Sequence, residues 1–290
     1  MNTHAKLTLL FSVIGLVAGC GGGGDSGTAN PPATTTGTFV DSATQGIAYT
    51  CGTTTGVTDA NGTFDFVAGD NCTFKVGGIT LGSATGKPLL SPVDLVAGAT
   101  NETNPVVTNI TQLLMSLDND NNPANGIVID PAVQTALAGK ALDFTLAPAA
   151  FATAAQALVG AAIPGRTLVS TAAAQTHLGA TLVGRFSGTY NCNYSGTGTV
   201  NGISGSVSGS VTASITNGVV NGSGQATGTP PPTPFRVNGL VSSTGNAALN
   251  LASGGVSTGG TWNGAFFTDG TGSGTWRESP ASGNWSCKKT

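Results

Sequence analysis

Charge is what this sequence has least of: 8% of its 290 residues are Asp, Glu, Lys or Arg. That excludes a coiled coil and a charged disordered tail, both of which need dense Lys and Glu. Ten basic residues, scattered along the chain, make no cationic face for a nucleic acid, so no nucleic-acid partner is expected. Histidine is nearly missing as well, and past the first twenty residues His177 stands alone. No C-x-x-C pair accompanies it, so a zinc-type ligand set is not on offer. The string G-x-S-x-G occurs at Gly255-Val256-Ser257-Thr258-Gly259, but in the Gly/Ser-rich strand region with no helix expected after it, so it is not a nucleophile turn. From residue 144 onward the carboxylates are Asp269 and Glu278, with Asp269 in a predicted turn, a poor basis for paired-carboxylate glycoside cleavage. The longest apolar run, Leu7–Val17, is too short for a permanent membrane span of ~20 residues.

What is present is glycine, at 45 residues, together with Thr, Ser and Asn in the places where Lys and Glu are common. Such a composition suits the short strands and turns of exported proteins. Charge is also unevenly placed. Residues 20–143 carry three basic and eleven acidic side chains, whereas residues 144–290 carry six basic and two acidic. Two domains of opposite sign are expected, divided at residues 184/185.

The start of the chain reads as an export signal. A short polar segment with Lys6 precedes the run Leu7–Val17, which has the length of a signal-peptide apolar region. No A-x-A cleavage site follows; Val17-Ala18-Gly19-Cys20 stands there instead. This resembles the lipobox of bacterial lipoproteins. The resemblance implies cleavage before Cys20 (a signal peptide at 1–19), acylation of that cysteine, and anchoring by several acyl chains, which is stable where one chain is not. Residue 21 is Gly; in that family Asp there marks inner-membrane retention, so the resemblance points to the outer membrane. Residues 20–37 then read as the lipidated cysteine and a Gly/Pro/Thr-rich tether. Its seventeen residues after Cys20 have a root-mean-square reach of roughly 20–25 Å.

With Cys20 assigned to lipid, four of the five cysteines remain, an even number in an oxidising compartment. Of the three possible pairings, Cys51–Cys72 with Cys192–Cys287 is the one that keeps each bridge inside one domain.

Residues 38–100 read as a small β module, with Asn61-Gly62 and Gly69-Asp70 at turns. The stretch TDANGTFDF resembles carboxypeptidase-regulatory-like β-sandwich repeats, which implies a structural or adhesive module. Residues 101–184 read as helices. Asn104-Pro105 and Asp130-Pro131 are helix starts, Pro148 opens a third helix and Ser170 caps a fourth. The first is expected to be amphipathic, with Val106, Ile110, Leu113, Leu114 and Leu117 on one face. From residue 185 about eight short strands follow, with turn signals at Asn217-Gly218, Gly245-Asn246 and Asp269-Gly270. A meander whose first and last strands share a disulfide is expected to be a closed, or nearly closed, antiparallel barrel. The fold class is thus mainly β with a helical segment. The order of lipobox, FVDSATQGIAYTC, GVTDANGTFDF, GGITLG, NITQLLMSLDNDNNPANGIVI and AAAQTHL resembles a group of bacterial surface lipoproteins with Gly/Ser-rich C-terminal β domains. That resemblance implies location and architecture and transfers no catalytic residue.

Three constellations could carry function. Asp118, Asp120 and Asn122 have loop spacing for Ca²⁺, although Pro123 stands where a calcium loop has Gly. Otherwise the loop is a helix end and turn, and no other cofactor is expected. His177, beside Leu178 on an Ala-rich helix, reads as a hydrogen-bonded interior histidine rather than a base. Trp262, Trp276 and Trp285 could form a ligand surface for sugars or be the core of the barrel. The functional expectation is a non-enzymatic, membrane-anchored surface lipoprotein, adhesive or structural, meeting a surface protein or glycan. The alternative is a ligand-binding lipoprotein with a small apolar or glycan ligand in the barrel, and a hydrolase finds least support. Side-chain direction discriminates: Ser206, Ser208 and Ser210 inside the barrel would open a cavity, and outside would favour the first reading.

Overall fold

A computed structural model describes residues 33–200, 202–227 and 233–290. The expected signal peptide, Cys20 and most of the tether lie outside the described residues.

The N-terminal strands are short because turn residues interrupt them every few positions. They are β1 (Thr34–Phe39), β2 (Thr44–Gln45), β3 (Ala48–Cys51), β4 (Thr54–Val57), β5 (Thr63–Val67), β6 (Asn71–Val76), β7 (Ile79–Thr85) and β8 (Leu89–Leu90). One sheet runs β5-β1-β8 and a second runs β4-β3-β6-β7. Period-two patterning turns Phe64, Phe66, Cys72, Phe74 and Val76 inward. Rings from the two sheets meet there: Phe39 and Phe74 lie 5.0 Å apart, and Phe64 stands edge-on to Phe74 at 5.2 Å. Ordered chain begins earlier than the expected tether boundary at 37, since Thr34–Gly37 pair with Phe64–Val67.

Helices α1 (Pro105–Ser116), α2 (Pro131–Ala136), α3 (Pro148–Ala162) and α4 (Thr171–Gly184) start where the caps indicate. Asn104 Oδ1 accepts from Val106 N and Val107 N, and Ser170 Oγ accepts from Ala173 N. The apolar face of α1 is inward as expected, with Ile110, Leu113, Leu114 and Leu117 in the core and Val106 packed against it. The other face is inside too, since every residue from Val107 to Ser116 is buried. Its polar side chains are inside because they satisfy loop backbone. Asn109 Nδ2 donates to Phe144 O, Gln112 Nε2 donates to Val169 O, and Ser116 Oγ accepts from Val169 N. Without those bonds each buried polar group would cost about 1–3 kcal/mol. A two-residue strand β9 (Ile127–Val128) adds parallel to β2.

Three residues after α4 the barrel begins. Strands β10 (Gly188–Val200), β11 (Ile203–Thr216), β12 (Val219–Thr227), β13 (Thr233–Val241), β14 (Asn246–Ser253), β15 (Val256–Phe266), β16 (Thr271–Glu278) and β17 (Ala281–Lys289) follow in chain order. Each pairs with its neighbour, and β10 closes on β17. Asn217 and Gly218 both take positive φ in the β11–β12 turn, the requirement of the tight hairpin turn that twists with its strands. Closure removes the free edges of the meander. Cys192 and Cys287 face each other on the closing seam and are bridged, as are Cys51 and Cys72 across β3 and β6.

Two large apolar cores result, one joining the N-terminal sheets to α1 and α3 and one inside the barrel. A small cluster of Val93, Val107, Leu178 and Leu182 packs α4 on α1. The expected division at 184/185 falls between the two large cores, within one compact unit spanning Thr34–Thr290. Phe186 serves the barrel core, and Tyr190 Oη donates to its carbonyl at 2.9 Å.

Candidate functional sites

The barrel interior follows a simple rule, in which large rings lie over glycines. A Cβ added at Gly274 would sit 2.8 Å from Trp285 Cε2, and one at Gly196 would sit 2.7 Å from Trp276 Cζ2. Glycine there is a space requirement, not a turn signal. Trp262 and Trp285 stack with centroids 5.7 Å apart. Of the two readings of Trp262, Trp276 and Trp285, burial favours the core, since each is at most 4% exposed, while Trp262 and Trp276 also border a cavity at one end of the barrel. A Gly-rich barrel has little else of sufficient volume to fill it. Around Cys192, Trp262 and Trp285 the residual void is about 10 Å³, no more than one water.

At the end of the barrel opposite Phe186 the packing stops short. A cavity of about 180 Å³ remains, lined among others by Tyr194, Phe235, Leu251, Trp262, Trp276 and Glu278. Trp276 and Trp285 donate their indole N–H groups to Ser195 O and Thr275 O. The Trp262 Nε1–H is buried without an acceptor. Burial raises the Tyr194 phenol above its usual value, and the negative charge of Glu278 adds to the shift. In the sequence Glu278 counts only as one of two carboxylates after residue 143. Its place two residues after inward-facing Trp276 was the signal that could have found it.

The outward face of the barrel is polar and mostly uncharged, with Arg236, Arg277 and Lys288 as its exposed cations. Ser206, Ser208 and Ser210 are exposed, as are Asn191, Asn193, Asn221, Asn250 and Asn263. A membrane-spanning barrel instead carries an outward apolar band.

The acidic loop is held by its own chain. Asp118 Oδ1 accepts from Val128 N and Oδ2 from Asn122 N, while Asp120 accepts from Asn122 N and Asn125 Nδ2. The Arg166 guanidinium donates to Asp118 O at 2.7 Å, to Asn121 Oδ1 and to Asn119 O. A fixed cationic side chain therefore sits on the carbonyls that a calcium ion would use. Burial raises the Asp118 carboxyl, and the bond from Asn125 lowers that of Asp120. Asn122 contributes its backbone N–H, a donor, rather than a ligand oxygen.

A third cluster brings together residues far apart in sequence. His177 Nε2 lies 3.3 Å from Ser42 Oγ, 3.3 Å from Asp41 O and 3.4 Å from Asp41 Oδ1. Ser, His and Asp are adjacent, yet all three contacts converge on one ring nitrogen. A nucleophilic relay needs the hydroxyl and the carboxylate on opposite nitrogens, so this cluster does not form one. Asp41 is fully buried and neither carboxylate oxygen has a hydrogen-bond partner. Burial pushes Asp41 well above the usual carboxylate range and pulls His177 below the usual imidazole value. Both shifts favour a neutral pair.

Compared with protein-family models and with curated proteins, the chain matches none.

Proposed function

We propose that this protein is a non-enzymatic surface lipoprotein, anchored through Cys20 to the outer membrane and acting as an adhesive or structural interaction module. The observation that supports the module is the direction of the barrel side chains. Ser206, Ser208 and Ser210 face outward, and the interior beneath the end cavity is filled by aromatic rings. The barrel therefore offers a hydrogen-bonding exterior of low charge density, suited to a surface protein or glycan. Support for the anchor is the sequence Val17-Ala18-Gly19-Cys20, and the resemblance to surface lipoproteins agrees with both. No metal or organic cofactor enters this reading.

The test separates anchor from exposure. Cys20→Ser is expected to leave the chain unacylated and release it from membranes washed with high salt and carbonate; continued sedimentation would overturn the anchor. Protease added to intact cells is expected to digest the wild-type body, and full protection would move the module to the periplasmic face.

A further inference from the structure

The inward positions of β16 run Gly272, Gly274, Trp276 and Glu278, so a carboxylate occupies the last interior place of an otherwise apolar face. Four rings, of Tyr194, Phe235, Trp262 and Trp276, line the same cavity and pack on one another. Tyr194 lies 5.6 Å from Phe235, 5.5 Å from Trp262 and 5.7 Å from Trp276, at interplanar angles of 83°, 61° and 83°. Aromatic faces carry negative potential, and the carboxylate adds a full charge to the same small space. Among the described residues Glu278 has no ion-pair partner. The adjacent Arg277 is on the outward face, exposed. Burying part of a carboxylate against rings is unfavourable unless a positive charge joins it.

Chemistry narrows the occupant. A hard metal ion wants six or more oxygens, and the cavity supplies one carboxylate. A primary ammonium brings three donors, and beside Glu278 the lining side chains offer them only hydroxyl oxygens such as those of Ser253 and Thr258, of which Thr258 Oγ1 already accepts from Gly260 N. A neutral apolar guest leaves Glu278 uncompensated. A methylated ammonium ion has an apolar exterior, a positive charge and no N–H to satisfy, the combination that aromatic cages recognise. We propose that the cavity at the open end of the barrel binds a small quaternary ammonium ion of the choline class, its charged head against the rings and Glu278. The volume, about 180 Å³, suits a guest somewhat larger than benzene, for which about 150 Å³ suffices. This proposal goes beyond the surface-module reading and is independent of the anchor.

The three tryptophans of the chain all lie in the barrel, so their fluorescence reports on this domain. The full-length chain is titrated with choline and with 3,3-dimethylbutan-1-ol, its uncharged carbon isostere. Saturable quenching by choline, with the isostere about tenfold weaker or more, is the expected result. Glu278→Gln is expected to weaken choline about tenfold, leave the isostere unchanged and keep the melting temperature. Phe235→Leu, which removes a half-buried wall, gives a second route: it too should weaken choline more than the isostere. Phosphatidylcholine vesicles distinguish the source. Co-sedimentation competed by free choline assigns a lipid headgroup, and binding of free choline alone assigns a soluble ion. Equal affinity for choline and its isostere, or saturable binding by neither, would overturn the proposal, as would indifference of choline binding to Glu278→Gln.

Discussion

The two halves of the molecule solve the same problem, filling a core with few large residues, in opposite ways. The N-terminal half buries polarity, satisfying it in part and leaving groups such as the Asp41 carboxyl and Thr111 Oγ1 without a partner. Helix α1 sinks Asn109, Gln112 and Ser116 into the interior and spends their hydrogen bonds on loop backbone. The same half buries the Asp41 carboxyl against His177. The barrel instead excludes polarity from its centre and fills the space with rings seated on glycines. Its one interior carboxylate, Glu278, stands at the rim. The lesson is that low charge content does not mean an uneventful interior. In one half ionisable groups are pulled in by loop architecture, and in the other they are displaced to the mouth.

The largest expected effect comes from the seam. Reducing Cys192–Cys287 by paired Ser substitution frees a separation of 95 residues, worth about 4.7 kcal/mol in the chain-entropy treatment. The same change at Cys51–Cys72, with a separation of 21, is worth about 3.3 kcal/mol. Urea unfolding followed by tryptophan fluorescence checks the first, and the difference between the pairs is the readout that sharpens the comparison. Equal losses would break it.

Next, Trp285→Ala removes a ring that is 2% exposed and should cost about 3–5 kcal/mol. The near-UV dichroism of the barrel should collapse at lower urea than the far-UV signal of the helices. A single shared transition would mean that the two cores unfold together.

A smaller effect, of opposite sign, belongs to the N-terminal half. The folded state raises the Asp41 pKa, so its contribution is full below the unfolded carboxylate value and is lost as pH rises through the folded one. His177 runs the other way: its pKa is lowered, so its contribution is present above the unfolded imidazole value and falls on acidification. Asp41→Asn removes the first dependence. It should raise stability by about 1–3 kcal/mol near pH 8 and leave it nearly unchanged near pH 3.5, where the unfolded carboxyl is also largely protonated. Thermal melts across that range test the sign, and destabilisation at pH 8 would show that the charged carboxylate is wanted.

The smallest effect is at the acidic loop. With Arg166 on its carbonyls, millimolar calcium should leave the melting temperature unchanged. A rise that disappears in Asp120→Ala would restore the calcium reading, and even a weak site would add only about 0.4–1.4 kcal/mol.

Much of this architecture was written locally in the chain. Asn104 and Ser170 announce helices because a cap satisfies backbone N–H groups two or three residues away. Asn217-Gly218 announces a hairpin because only such residues tolerate the two positive φ values it needs. Alternation along residues 185–290 exposed eight strands, and their meander order made the Cys192–Cys287 seam readable. These are interactions between near neighbours, or the repetition of one pattern, and a linear text carries them. What tertiary structure alone decided are meetings between distant residues. Parallel pairs such as β1–β8 and β2–β9 carry no turn signal. The inward polar face of α1 depends on loops 35 and 57 residues away, and the Asp41–His177 contact spans 136 residues. Closure of the barrel decided that the three tryptophans are buried and set Glu278 in one lining with Tyr194 and Phe235. Direction along a strand is a local property, but what stands opposite is set only when the last strand finds the first.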